Sequence, residues 1–377
     1  MDLQHIQAID QHAHNLLRPE IVESGSFASS FTESADRMVI SRHAPHSFFY
    51  RRSLRDIADL LECEPTEDAI LSRRREIGFE ELCQRCFKAS NLSAAFLDDG
   101  FLPEKTLPVE WHERFLPVKR ILRLESLAET LIRNAERFED FIGELMSRID
   151  PPPAQVVALK SIAAYRTGLR IDLTPIEKAR SSFDELKKQC GDMPFRLMDK
   201  VLIDGLITLA LDVCAKHGLP LQFHTGFGDP DLDLRLATPL HLRPLLEEKG
   251  WRRAHVILLH AGYPYAREAG YLASVYPQVH LDFGLAIPFL SVSGMRSILL
   301  ELLELTPVTK LMFSSDAHAI PELYYLGAKW ARRLLAEALE GAVKDSDLTA
   351  KEADWVAARI LAENAGALYF GGGHPRA

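Results

Sequence analysis

Short apolar runs recur along the chain, each closing on polar or charged residues and most followed by a stretch with helical spacing. Eight of them fit strands. They are 6–12 (ending at His12), 92–97 (before Asp98-Asp99-Gly100), 117–122 (before Arg123-Leu124-Glu125) and 155–159 (before Lys160). The remaining four are 219–223 (before His224), 255–259 (before His260), 279–283 (around Asp282) and 308–313 (before Ser314-Ser315-Asp316). Between them, amphipathic helices are expected at roughly 126–148, 197–217, 239–249, 264–276, 294–305 and 322–340. Strands alternating with helices imply a parallel sheet with helices packed outside it. Eight such units predict an α/β fold, a distorted (β/α)8 TIM barrel, whose working side chains sit where strands end.

One interval breaks this rhythm. Residues 15–90 separate the first two strands, far more than a crossover needs. They are expected to form a helical insertion, with charged helical stretches at Leu54–Glu62 and Glu67–Glu81. Because the insertion leaves the sheet beside His14, a cap with some role at the barrel mouth is favoured over a simple decoration. Pro151-Pro152-Pro153 looks like a rigid linker into the fourth strand. The expected organisation is one barrel domain over 1–370 and a flexible tail over 371–377, where Gly371-Gly372-Gly373 stands.

Composition narrows the setting more than the chemistry. Hydrophobic residues make up 47% of 377 and charged residues 26%, an ordinary globular balance. A net charge of −9 argues against a general nucleic-acid or anionic-membrane surface. Five scattered cysteines suit a reducing compartment rather than a disulfide framework. Cys83-x-x-Cys86 lies in a helical run without a second pair, which favours a buried helix face over a zinc or redox site. There is no basic segment followed by an apolar one at the amino terminus and no stretch near membrane-spanning length. A cytoplasmic protein is expected, with a small molecule as its partner and a homo-oligomer allowed.

The strand endings carry the candidate chemistry. His12 and His14 stand two apart on the first strand, so both imidazoles point to one side. Lys160, His224, His260 and Asp316 close four other apolar runs. Around one barrel rim, imidazole nitrogens and a carboxylate oxygen make a ligand shell for a divalent metal, zinc first and manganese second. Asp98, Tyr165, Arg166 and His318 follow strand endings and are candidates for binding substrate, Arg166 because a guanidinium fork matches a carboxylate. Structural ion pairs are an equal reading for the charged members of that group.

These residues resemble a family. His12-x-His14 on the first strand, His224 on the fifth, His260 on the sixth and Asp316 on the eighth match the amidohydrolase superfamily. Glu363-Asn364-Ala365-Gly366-Ala367-Leu368-Tyr369 looks like the closing helix of its amidohydrolase-2 branch. Lys160–Arg166, His260–Tyr265 and Ser314–His318 resemble the amidohydrolase domain of nodulin/FluG-type proteins, where it is fused to glutamine-synthetase-like domains. The resemblance implies that His12, His14 and Asp316 bind metal, joined by His224, and that Asp316 also takes the proton of the attacking water. His260 would bind a second ion or polarise the carbonyl under attack. Lys160 stands about where two-metal members carry a CO2-modified lysine, although the branch favours one ion. The implied reaction is hydrolysis of a C–N, amide-type bond in a small molecule. Nonoxidative decarboxylation of a small carboxylic acid uses an almost identical ligand set and is the alternative. A barrel kept only as a sensor or assembly module is a third reading, opposed by the intact ligand set.

Overall fold

A computed structural model describes residues 1–191 and 193–371; the expected tail beyond Gly371 lies outside the described residues. Eight strands form one sheet in chain order: β1 (Ala8–His14), β2 (Leu92–Asp98), β3 (Val118–Arg123), β4 (Val156–Ser161), β5 (Leu221–Phe223), β6 (Val256–Leu258), β7 (Val279–Asp282) and β8 (Leu311–Met312). All eight expected strands are present. The runs are mainly apolar because helices cover a parallel sheet outside and side chains fill it inside. Every residue of β4 is buried. The chain around β8 returns to β1: Gln11 N–H donates to Phe313 O at 3.3 Å, Asp316 N–H to His12 O at 3.0 Å and His14 N–H to Ala317 O at 2.7 Å. The architecture is the expected (β/α)8 barrel.

The residues pack as two compact units. The first holds Met1–Lys119, Gly228–Pro230 and Asp282–Gly366; the second holds Arg120–Phe227, Asp231–Leu281 and the segment from Ala367.

In the first unit, the insertion folds mainly into three helices, Phe48–Leu61, Glu67–Ile77 and Phe79–Ser90. Ser47 and Thr66 cap the first two, accepting from Tyr50 N–H and Ala69 N–H. The expected helix over 67–81 breaks at Gly78, whose φ of 79° lets the chain turn at little steric cost. Polar ties fasten the insertion to the helix Pro321–Lys344. The Arg52 guanidinium lies 4.0 Å from the Trp330 ring centre and donates to Pro288 O (2.7 Å) and Leu290 O (3.0 Å). Asp56 accepts from Lys329 at 2.8 Å and from the Trp330 indole. Cys83 and Cys86 are fully buried in the third helix, and burial pushes both thiols up, so they stay protonated and packed.

In the second unit, the helix expected over 126–148 is two helices, Leu124–Asn134 and Phe138–Ile149. The apolar spacing runs through the break. The turn at 135–137 instead serves packing, setting Phe138 and Phe141 each 5.7 Å from Phe183 of the helix Arg180–Cys190. The helix expected over 239–249 is a 3-10 turn, Pro239–Leu242, leading into a short helix, Arg243–Glu247. Pro244, one residue into the latter, has no N–H to continue the ladder. No helix among the described residues is long and apolar enough to cross a membrane.

Candidate metal centre

The alternation of β1 puts His12 and His14 on one side, their ring centres 5.1 Å apart and their planes nearly perpendicular at 84°. Both present Nε2 to the same oxygen, Asp316 Oδ1, at 3.2 Å from His12 and 3.4 Å from His14. All three side chains are buried or nearly so. His14 Nδ1 lies 3.0 Å from Asp98 O. A carbonyl only accepts, so Nδ1 carries a proton and Nε2 is the ring nitrogen turned toward Asp316. Asp98, expected to bind substrate, therefore orients a histidine, and its carboxylate lies 3.9 Å from the same ring nitrogen. His12, His14 and Asp98 also form a cluster with metal-ligating geometry. Two imidazole nitrogens and a carboxylate oxygen within reach of one point are the donor set of a borderline-soft divalent ion. The residues fit such an ion.

Asp316 has a φ of 53°, a left-handed conformation uncommon outside glycine. His318 follows on the same turn, its Nδ1 3.3 Å from Asp316 O, and burial lowers its pKa. Phe101 packs between the two sides of this cluster, its ring centre 5.1 Å from His14 and 6.2 Å from His318.

In the second unit, β5 and β6 bring His224 and His260 together with ring centres 4.5 Å apart. The Tyr165 ring lies 4.3 Å from that of His224, tilted at 49°. His224 Nε2 lies 3.0 Å from Phe227 O, so that nitrogen carries a proton. His260, Ala261 and Gly262 all have positive φ, at 68°, 57° and 59°. Left-handed backbone at two consecutive non-glycine residues, His260 and Ala261, marks a strained strand ending of the kind that clusters at working sites. Lys160 is buried on β4, in register with Arg123 of β3 and Gln222 of β5. Arg166 is held by Glu129 at 3.3 Å.

The family model for amidohydrolases, of the amidohydrolase-2 type, matches residues 185–371. Protein FluG of Emericella nidulans is 33% identical over 96% of this chain. The chain belongs to the amidohydrolase superfamily. It spans 45% of the length of FluG. A solved structure from Lactobacillus casei, described as a metal-dependent hydrolase, superposes on this amidohydrolase with a TM-score of 0.85 at 28% identity. It covers 98% of this chain and 96% of that one. The glucuronate isomerase of Caulobacter crescentus, 16% identical with a TM-score of 0.67 over 99% of this chain and 93% of its own, shares the fold.

Two acids of this amidohydrolase escaped the sequence reading. Glu33 of the insertion hydrogen-bonds Asp229, and burial together with the charges of Asp229 and Asp316 holds its carboxyl well above the usual carboxylate range. The insertion thus brings a titratable group close to Asp316. Asp10, two residues before His12, is fully buried, and burial pushes it up to about 7. Its position on the inward side of the strand was the available signal; Glu33 had none, because its place depends on the fold of the insertion.

The turn after β5 leads to a further expectation. A Cβ on Gly226 would lie 2.2 Å from Tyr263 O, and its φ is 73°. Gly226→Ala should therefore cost at least about 2 kcal/mol through the left-handed backbone and the carbonyl clash. Thermal unfolding checks this; a midpoint equal to wild type would show that the turn relaxes freely.

Proposed function

We propose that this amidohydrolase is a metal-dependent hydrolase of a C–N, amide-type bond in a small molecule. The observation that supports it is the convergence of His12 Nε2 and His14 Nε2 on Asp316 Oδ1, with His14 turned by Asp98. His12, His14 and Asp316 would hold one divalent ion, zinc before manganese, joined by His224 as in the family pattern. When bound, such an ion supplies Lewis acidity that brings the pKa of water toward neutrality. Asp316 accepts the proton of the attacking water and carries it toward the leaving nitrogen. His260 steadies the developing negative charge on the carbonyl oxygen. In this reading Tyr165 and His318 contact substrate, and Asp98 orients His14. Arg166 would reach a substrate carboxylate only on leaving Glu129. A two-ion centre would require a CO2-modified Lys160 as the bridge. The five cysteines are free, which fits a reducing, cytoplasmic setting.

Elemental analysis of purified protein reconstituted with zinc or manganese tests the reading. One ion per chain is expected; two would bring Lys160 into the ligand set; none would remove the proposal. A panel of small amides and carboxylic acids then decides the reaction. Release of ammonia or an amine is expected, and release of CO2 would replace hydrolysis with decarboxylation.

A further inference from the structure

The strand ending that carries Asp316 is gripped by two buried acids that take no part in the proposed reaction. Asp10 on β1 accepts twice from one residue: Ser315 N–H donates to Oδ1 at 2.8 Å and the Ser315 hydroxyl to Oδ2 at 2.5 Å. Ser315 Oγ in turn accepts from Ala317 N–H at 2.9 Å. At the end of β7, Asp282 accepts from the Ser314 hydroxyl at 2.6 Å and from Gln11 Nε2 at 2.6 Å. Neither serine has slack. A Cβ on Gly327 would meet Ser315 Cβ at 2.8 Å, and one on Gly284 would meet Ser314 Oγ at 2.1 Å.

Between the two anchored residues, Ser315 and Ala317, stands Asp316 in its left-handed conformation. Local preference alone would let that residue relax toward ordinary backbone and swing its carboxylate away. We propose that Asp10 and Ser315 form a clamp that holds the Asp316 carboxylate where it meets His12 and His14, with Asp282 and Ser314 bracing it one residue upstream. Asp10 and Ser315 are positioning residues. The inference rests on the reading of Asp316 as a metal ligand. A related grip, with the backbone donor one residue later, closes β4 in the second unit. There Glu125 accepts from the Ser161 hydroxyl at 2.7 Å and Ile162 N–H at 3.0 Å, while Ser161 Oγ accepts from Ala163 N–H at 3.1 Å. Its recurrence one residue beyond Lys160 identifies the arrangement as a way of fixing a strand ending in this chain.

The test uses Zn2+ and Mn2+ alone, titrated against a chelator, with wild type, Ser315→Ala, Asp10→Asn and Ser90→Ala. The last removes another buried hydroxyl of the same unit, one that donates to Cys86 O, and measures the effect of losing such a group away from the site. Ser315→Ala and Asp10→Asn should weaken metal binding about 10- to 100-fold, as loss of a ligand-orienting partner does. Ser90→Ala should lower the melting temperature without changing metal affinity. Wild-type affinity in both clamp variants would overturn the clamp and leave the metal reading standing, as would an equal loss of affinity in Ser90→Ala. No metal bound by wild type would remove both. Should Ser315→Ala not fold, Asp10→Asn carries the test, because it keeps the side-chain volume.

Discussion

Asp316→Asn should lower kcat by about 1,000-fold while KM moves far less, because the change removes a proton acceptor and leaves the shape of the site. The asparagine side chain matches aspartate in size and keeps one oxygen near His12 and His14, so the turn after β8 has no steric reason to move. It carries no charge, binds a cation more weakly and cannot collect a proton from water. His12→Ala differs in a way that separates the two roles of Asp316. It removes one of the two nitrogens that face Asp316 Oδ1, at 3.2 Å, and should therefore empty the centre as well as silence it. Metal content and turnover measured together distinguish the cases. Asp316→Asn should show low turnover per bound ion, and His12→Ala should show low turnover because few ions are bound. Turnover above about a tenth of wild type in metal-loaded Asp316→Asn would transfer the proton-accepting role to another group.

The contrast between what the chain disclosed and what it concealed follows the range of the interactions. His12 and His14 were legible because strand alternation is local: an apolar run followed by two imidazoles at a spacing of two allows one geometry. The eight strands were legible for the same reason, since burial on both faces leaves a continuous apolar signature. The break at 135–137 was not, because the apolar spacing of a helix runs through it. Glu33 was concealed by the same rule. Nothing near Ser26–Glu33 signals that this segment comes close to Asp229 and Asp316, and only the folded insertion brings it there. At Asp98 it is the backbone carbonyl, invisible to any reading of side-chain types, that lies against His14.

The second large effect is expected far from the chemistry, where the insertion meets the helix Pro321–Lys344. Glu322 is completely buried in the first turn of that helix, and Arg74 of the insertion lies beside it, Nε to Oε1 3.2 Å, its own side chain 9% exposed. The Arg74 guanidinium also lies 5.1 Å from the Phe27 ring centre, so it leaves water on two sides. Arg74→Ala strips a buried carboxylate of its cation and should destabilise the fold by about 3–5 kcal/mol. Urea unfolding followed by tryptophan fluorescence reports it, with Trp330 eight residues along the same helix as a probe. Replacing both partners by apolar groups, Arg74→Met with Glu322→Leu, removes both desolvation penalties and should restore stability to within about 1.5 kcal/mol of wild type. A single variant as stable as wild type would mean that water reaches Glu322 once Arg74 is gone. A double variant as unstable as the single would mean that the pair sets the geometry of the helix start rather than its electrostatics. Recovery in the double variant would show that apolar packing alone holds the insertion at this point, and that the loss in Arg74→Ala comes from leaving the buried Glu322 carboxylate without its cation.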